Sequence, residues 1–170
     1  MQGIQIKKIL VPFALLAGLV VISLFGMNGA SNPKGEAAKA ELVMTDFEAA
    51  KSKAESEGKA ILLYFTGSDW CPPCMALKKD VFTQEAFESY VNEEAVFVEL
   101  DFPKRKQLSE EQMEQNHRLA YRYGVISSEG MLRVPSVVLI EPDGELLGKT
   151  GYLPMKAAEY VEHLRELAGG

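Results

Sequence analysis

The apolar positions of this chain change spacing repeatedly, and each change predicts an element. Leu42 to Met44 reads as a short edge strand. Phe47, Ala50 and Ala54 share one helical face behind the capping pattern Thr45-Asp46-Phe47-Glu48, with Gly58 as a stop, which predicts a helix over about Asp46 to Glu57. Ala60 to Thr66 is an apolar run of strand length without alternation, so it is expected at the centre of a sheet, covered on both faces. The helix-like stretch Met75 to Phe82 is expected to turn Met75, Leu77 and Val81 inward and Lys78, Lys79 and Asp80 outward. Thr83 is expected to cap a further helix ending near Asn92, with Phe82, Phe87 and Tyr90 at core spacing. Ala95 to Phe102 alternates, with Val96, Val98 and Leu100 on one side and Phe97, Glu99 and Asp101 on the other, as a strand does. Ser109-Glu110-Glu111-Gln112 opens a helix through Tyr123, with Met113, Leu119, Ala120 and Tyr123 inside and Gly124 as its stop. Ser136 to Ile140 and Glu145 to Lys149 flank the turn Pro142-Asp143-Gly144 as an antiparallel hairpin. Pro154 suits the first turn of a terminal helix whose Ala157, Tyr160, Val161, Leu164 and Leu167 form one stripe. This order predicts an α/β fold, a three-layer sandwich with a mixed central sheet and helices on both faces.

Upstream, Lys7 and Lys8 precede the apolar run Ile9 to Phe25, and no acidic residue occurs before Glu36. The pattern is that of an export leader over residues 1–30. Its 17-residue run suits a cleaved signal peptide or a retained membrane anchor, with Gly29-Ala30-Ser31 as a small-residue cleavage site and no cysteine for a lipid anchor. Either way the remainder is expected outside the cytoplasm, in the periplasm or an equivalent space. Residues 31–41, with Asn32-Pro33-Lys34-Gly35, read as a flexible linker, and residues 42–170 as one domain. The leader carries two lysines and no acid, so setting it aside takes the net charge from −6 to −8. That balance argues against nucleic acid or anionic lipid as a partner.

The chemistry is expected at Ser68-Asp69-Trp70-Cys71-Pro72-Pro73-Cys74, which holds the chain's 2 cysteines. Two residues apart at the start of a helix, their sulfurs can alternate between disulfide and dithiol with little backbone movement. A bridge of this spacing closes almost no loop and would stabilise little, so the pair makes sense as chemistry. The helix N-terminus favours a thiolate, which makes Cys71 the candidate nucleophile and Cys74 the candidate resolving thiol. Pro72 and Pro73 lack an N–H, so Cys74 is the first residue after Cys71 able to donate one to its thiolate. Fewer donors imply a less acidic nucleophile and a pair that leans towards reduction of partners. Zinc would need about four ligands; beyond the cysteines the chain offers only His117 and His163 in charged helical surroundings, so neither metal nor cofactor is expected.

Trp70-Cys71-Pro72-Pro73-Cys74 resembles the active-site motif of the thioredoxin superfamily, and Phe65-Thr66-Gly67-Ser68-Asp69-Trp70 is similar to a bacterial extracytoplasmic branch of it. The resemblance covers roughly Thr45 to Ala168. It implies a thioredoxin-like sandwich and a thiol:disulfide oxidoreductase acting on disulfide-containing proteins. It also implies renewal by an upstream dithiol donor, for which a membrane protein is one candidate, and a monomeric state. It implies further that Pro135 is cis and faces the disulfide, that Val134 offers backbone hydrogen bonds to a substrate peptide, that Trp70, Pro72 and Pro73 border it, and that a glycine such as Gly148 or Gly151 leaves room for it. Members commonly bury a carboxylate near the resolving cysteine; the matching position here is Tyr64 or Phe65, which leaves Glu99 on the neighbouring strand as a candidate proton acceptor. The segment Ile126 to Arg133 is longer than the family pattern, with Met131 and Leu132 either contacting partners or forming a passive loop. Lys104, Arg105 and Lys106 form a basic cluster that either guides an acidic partner or is a solvated loop. Two alternatives stay open: an oxidase or isomerase using the same residues, and a non-catalytic binding module using the Pro135 groove.

Overall fold

The computed structural model describes residues 42–169, so the expected leader and linker lie outside the described residues. The segment Ile61 to Thr66 is buried at every position, which requires a strand covered on both faces. It belongs to β2 (Ala60–Thr66), which lies at the centre of a five-stranded sheet. The chain runs through β1 (Val43–Met44), α1 (Phe47–Glu57), β2, α2 (Pro72–Leu77), a π-helical turn over Lys78–Phe82, α3 (Glu85–Glu93) and β3 (Ala95–Asp101). It continues through α4 (Glu110–Arg122), β4 (Ser136–Ile140), β5 (Leu146–Gly151) and α5 (Ala157–Leu167). The strand order is β1-β3-β2-β4-β5; the first three strands are mutually parallel, whereas β4 runs antiparallel to β2 and to β5. Among the described residues no helix is long and apolar enough to cross a membrane.

Strand alternation sorts the core into two layers. Leu62, Tyr64 and Phe97 face α2, α3 and α5, where they meet Leu77, Phe82, Phe87, Tyr160 and Leu164. Ile61, Leu63, Phe65, Val96, Val98 and Leu100 face α1 and α4. Phe82 anchors the first layer, with ring centroids 4.8 Å from Tyr64, 4.5 Å from Phe87 and 5.1 Å from Phe97. Each such pair contributes roughly 0.5–1.5 kcal/mol beyond area burial.

Several local expectations are corrected. Asp46, not Thr45, caps α1, its carboxylate accepting the Ala49 N–H at 3.0 Å, while the Thr45 carbonyl accepts from Gln115 of α4. Met75 is 45 % exposed, because the inward stripe of α2 is Cys74 and Leu77 and continues to Val81 and Phe82. The π turn, closed by the Thr83 N–H on the Lys78 carbonyl, adds the extra residue that lets both Val81 and Phe82 point inward. Thr83 therefore ends that turn, and Gln84 takes the N-cap position of α3. Pro154 precedes α5: it sits in a tight turn closed by the Met155 N–H on the Leu153 carbonyl, and the helix starts at Ala157. The second hairpin strand starts one residue later than expected and runs on to Gly151, because Ser136 pairs with that glycine.

Burial pushes the phenols of Tyr64 and Tyr90 up from 10.0 to about 12, and raises that of Tyr160 as well. The neutral form is thus favoured by folding, so the contribution is fully present below pH 10 and is lost as pH rises towards 12. In an alkaline titration, ionisation of these tyrosines, followed by ultraviolet phenolate absorbance, should coincide with loss of circular dichroism. Ionisation of all 6 tyrosines with the dichroism intact would contradict this.

Candidate active site

The motif begins where β2 ends, and it is held there by the end of β3. Gly67 accepts the N–H groups of Trp70 and Cys71 at 3.2 and 2.9 Å, and a Cβ on it would lie 2.4 Å from the Trp70 ring, so only glycine fits. Ser68 gives its N–H and its hydroxyl to the buried carboxylate of Asp101, at 2.8 and 2.6 Å, and Lys106 Nζ reaches the same carboxylate at 2.7 Å. The Asp69 carboxylate accepts the N–H groups of Lys104 and Arg105 at 3.0 and 2.7 Å. Trp70 Nε1 donates to the Phe102 carbonyl at 2.7 Å, and Lys104 Nζ stands 4.1 Å from the centroid of the Trp70 ring. The basic cluster is thus part of the clamp on the motif.

Cys71 occupies the N-cap of α2, with Pro72 and Pro73 exposed in the first turn. Its sulfur accepts the Cys74 N–H at 3.3 Å, the donor that the two prolines leave to it. The cysteines form a disulfide, with Cα atoms 5.3 Å apart, and they are 3 % and 1 % exposed. Beneath them Tyr64 donates its hydroxyl to the Cys74 carbonyl at 2.9 Å and accepts the Thr66 hydroxyl at 3.0 Å. The choice between Tyr64 and Phe65 is thereby resolved: Tyr64 faces α2, and Phe65 faces α1 and α4. Glu99 is Tyr64's register partner on β3 and lies on the same face, its carboxylate 2.7 Å from Lys78 Nζ.

The antiparallel register sets Ser136 opposite Phe65, so Val134 and Pro135 enter the sheet beside the end of β2 from which the motif leaves. Their peptide bond is cis, and Val134 packs against the same apolar layer as the two cysteines and Trp70. Gly151 faces this point from β5, where a Cβ would come within 3.0 Å of the Pro135 carbonyl. The segment Ile126 to Arg133 folds back on itself through an Ile126–Leu132 bridge and a positive φ of 79° at Gly130. Leu132 packs on the α1/α4 layer, while Met131 projects with 62 % exposure. The histidines lie elsewhere: His117 packs edge-on against Phe102 and His163 bonds to Thr150. Among the described residues no group of three or more His, Cys, Asp or Glu side chains could hold a metal ion.

The sequence pattern includes Ser68 and Asp69 in the motif but misses Thr66 and Asp101 as parts of the site. Alternation along Ala95 to Phe102 puts Glu99 and Asp101 on one face; what the sequence lacks is the parallel β2–β3 register that brings Thr66 opposite Asp101.

A profile of the family described as a thioredoxin-like domain matches residues 47–168. The chain is 30 % identical over 128 residues to the disulfide bond reductase DsbH of Chlamydia pneumoniae, covering 75 % of this chain and 74 % of that one. The solved structure of a DsbH oxidoreductase superposes with a TM-score of 0.69 at 28 % identity, over 85 % of this chain and 95 % of that one. A thioredoxin from Thermus thermophilus shares the fold, with a TM-score of 0.53 at 18 % identity over 74 % and 85 % of the two chains.

The Lys104 N–H, and after it those of Arg105 and Lys106, hold the Asp69 carboxyl below its ordinary value of 3.8. Its contribution to the clamp is fully present above that pH and is lost as pH falls through the lowered value. Trp70 is the only tryptophan, so its fluorescence reports the clamp. Asp69→Ala should show at neutral pH the shifted emission that the unaltered chain reaches only in acid; unchanged emission in that variant would refute the clamp.

Proposed function

We infer that this chain, which belongs to the thioredoxin-like family and is a protein-disulfide oxidoreductase, runs in the reducing direction outside the cytoplasm. The observation that carries the direction is the single-amide environment of Cys71: Pro72 and Pro73 fill the positions where a helix start would otherwise aim N–H groups at the sulfur, leaving the Cys74 N–H. A thiolate stabilised by few donors is more basic and gives a weaker oxidant. The Chlamydia pneumoniae relative is a disulfide bond reductase, which supports the same direction. Lys7 and Lys8 ahead of an apolar run support export.

In this reading the Cys71 thiolate attacks one sulfur of a partner disulfide, a Cys71–partner bond forms, and the partner's other sulfur leaves as a thiolate. Cys74 loses its proton and attacks Cys71 Sγ; the mixed disulfide breaks and the second partner thiolate departs. Two electrons pass to the partner, whose thiolates take up two protons, and the Cys71–Cys74 disulfide remains. An upstream dithiol must return the two electrons. Trp70, Pro72, Pro73, Val134 and Pro135 border the approach to Cys71, with the Val134 backbone receiving an extended substrate segment. Glu99, on the same face as Tyr64 and ion-paired with Lys78, is the candidate acceptor for the Cys74 proton.

Equilibration with thiol buffers should place the reduction potential near the roughly −270 mV of thioredoxin; a value near about −120 mV would make the chain an oxidase and overturn the donor argument. Cys74→Ser should accumulate a mixed disulfide with protein substrates that Cys71→Ser does not form. Partner binding that survives Cys71→Ser, with no adduct from Cys74→Ser, would instead mark a binding module.

A further inference from the structure

Beneath the cysteines the buried hydroxyls of Tyr64 and Thr66 belong to one chain of hydrogen bonds. Thr66 Oγ1 donates to the Tyr64 hydroxyl, and Tyr64 donates to the Cys74 carbonyl. Tyr64 is 0 % exposed and Thr66 is 2 % exposed, so neither bond is contested by water. The Cys74 carbonyl already receives the Lys78 N–H as its helical partner. The tyrosine bond is therefore not needed to satisfy that carbonyl, and it ties the first turn of α2 to the central strand.

We propose that Tyr64 is a positioning residue for the second half of the reaction, its hydroxyl fixing the backbone of Cys74 so that the resolving thiol stays aimed at Cys71. The inference rests on the attack and resolution roles assigned above. Its physical content is effective concentration: a thiol held at the right distance closes the disulfide faster, and makes the closed form more stable, than one that wanders. With its oxygen both donating and accepting, Tyr64 cannot rotate away without breaking two buried hydrogen bonds. The charged groups on this face are Glu99 and Asp101 of β3 and Lys78 of the π turn, and all three are engaged in ion pairs. Burial keeps the phenol neutral up to about pH 12, so the tie holds unchanged across the range in which thiols ionise.

The reduced full-length chain is mixed with an aromatic dithiobis-nitrobenzoate, which releases one coloured thiolate when Cys71 attacks and a second when Cys74 resolves. Tyr64→Phe keeps the ring and removes the hydroxyl. Its first phase should match that of the unaltered chain, while its second should slow by about tenfold, the factor set by the net worth of one hydrogen bond. A tenfold loss of effective concentration also makes the potential about 30 mV less negative. Tyr64→Phe leaves Thr66 without its acceptor, so the double variant Tyr64→Phe/Thr66→Val separates fold from positioning. It should regain stability towards denaturant yet keep the slow second phase and the shifted potential. Recovery of the second phase together with stability would overturn the proposal, as would an unchanged second phase in either variant or equal slowing of both phases. Release of only one thiolate per unaltered chain, or of a second that survives Cys74→Ser, would instead refute the assignment of attack and resolution.

Discussion

A carboxylate buried at the end of β3 can persist only if its oxygens are fully occupied, and Asp101 meets that demand with the amide and hydroxyl of Ser68 and the ammonium of Lys106. The demand works in both directions. It draws the loop after β2 onto the loop after β3, and once they lie together the Asp69, Trp70 and Lys104 contacts follow at hydrogen-bonding distance. The start of α2, and with it Cys71, is fixed by where that loop ends. Removing one partner would leave a charge buried without compensation, which costs far more than the surface ion pairs elsewhere on the chain contribute.

The sheet could be read from the sequence because its signal is local. The apolar run of β2, the alternation of β3 and the turn at Pro142-Asp143-Gly144 are each contained in a few residues. The same holds for the cysteine pair, whose spacing and helix start lie in one heptapeptide. What could not be read depends on register or on helical phase. Met75 is one residue out of phase with the inward stripe of Cys74, Leu77 and Val81, and the π turn that brings Phe82 inward as well leaves no composition signature. Asp101 looked like any strand-end acid until the parallel register placed it against Thr66 and Ser68. The basic run Lys104 to Lys106 is ambiguous in one dimension, because these contacts with the motif use backbone N–H groups and an aromatic face rather than side-chain charge pairs.

Around the cysteines the structure limits charge. The sulfur at the helix start receives one amide, the exposed prolines supply none, and the group beneath Cys74 is a neutral phenol. The ionised side chains on that face are kept in pairs, Glu99 with Lys78 and Asp101 with Lys106. In general a thiolate with few donors is the more basic one and the poorer leaving group, the ground on which the reducing direction is proposed above.

The clamp also has a temporal side. The partners of Ser68 and Trp70 lie 33 and 32 residues further along the chain, and β2 gains its second neighbour only with Ser136 to Ile140. A ribosome delivers both sulfurs well before the segments that shelter them, so the nascent chain carries naked thiols through much of its own synthesis. With only 2 cysteines there is no wrong partner within the molecule, and scrambling is confined to encounters between molecules.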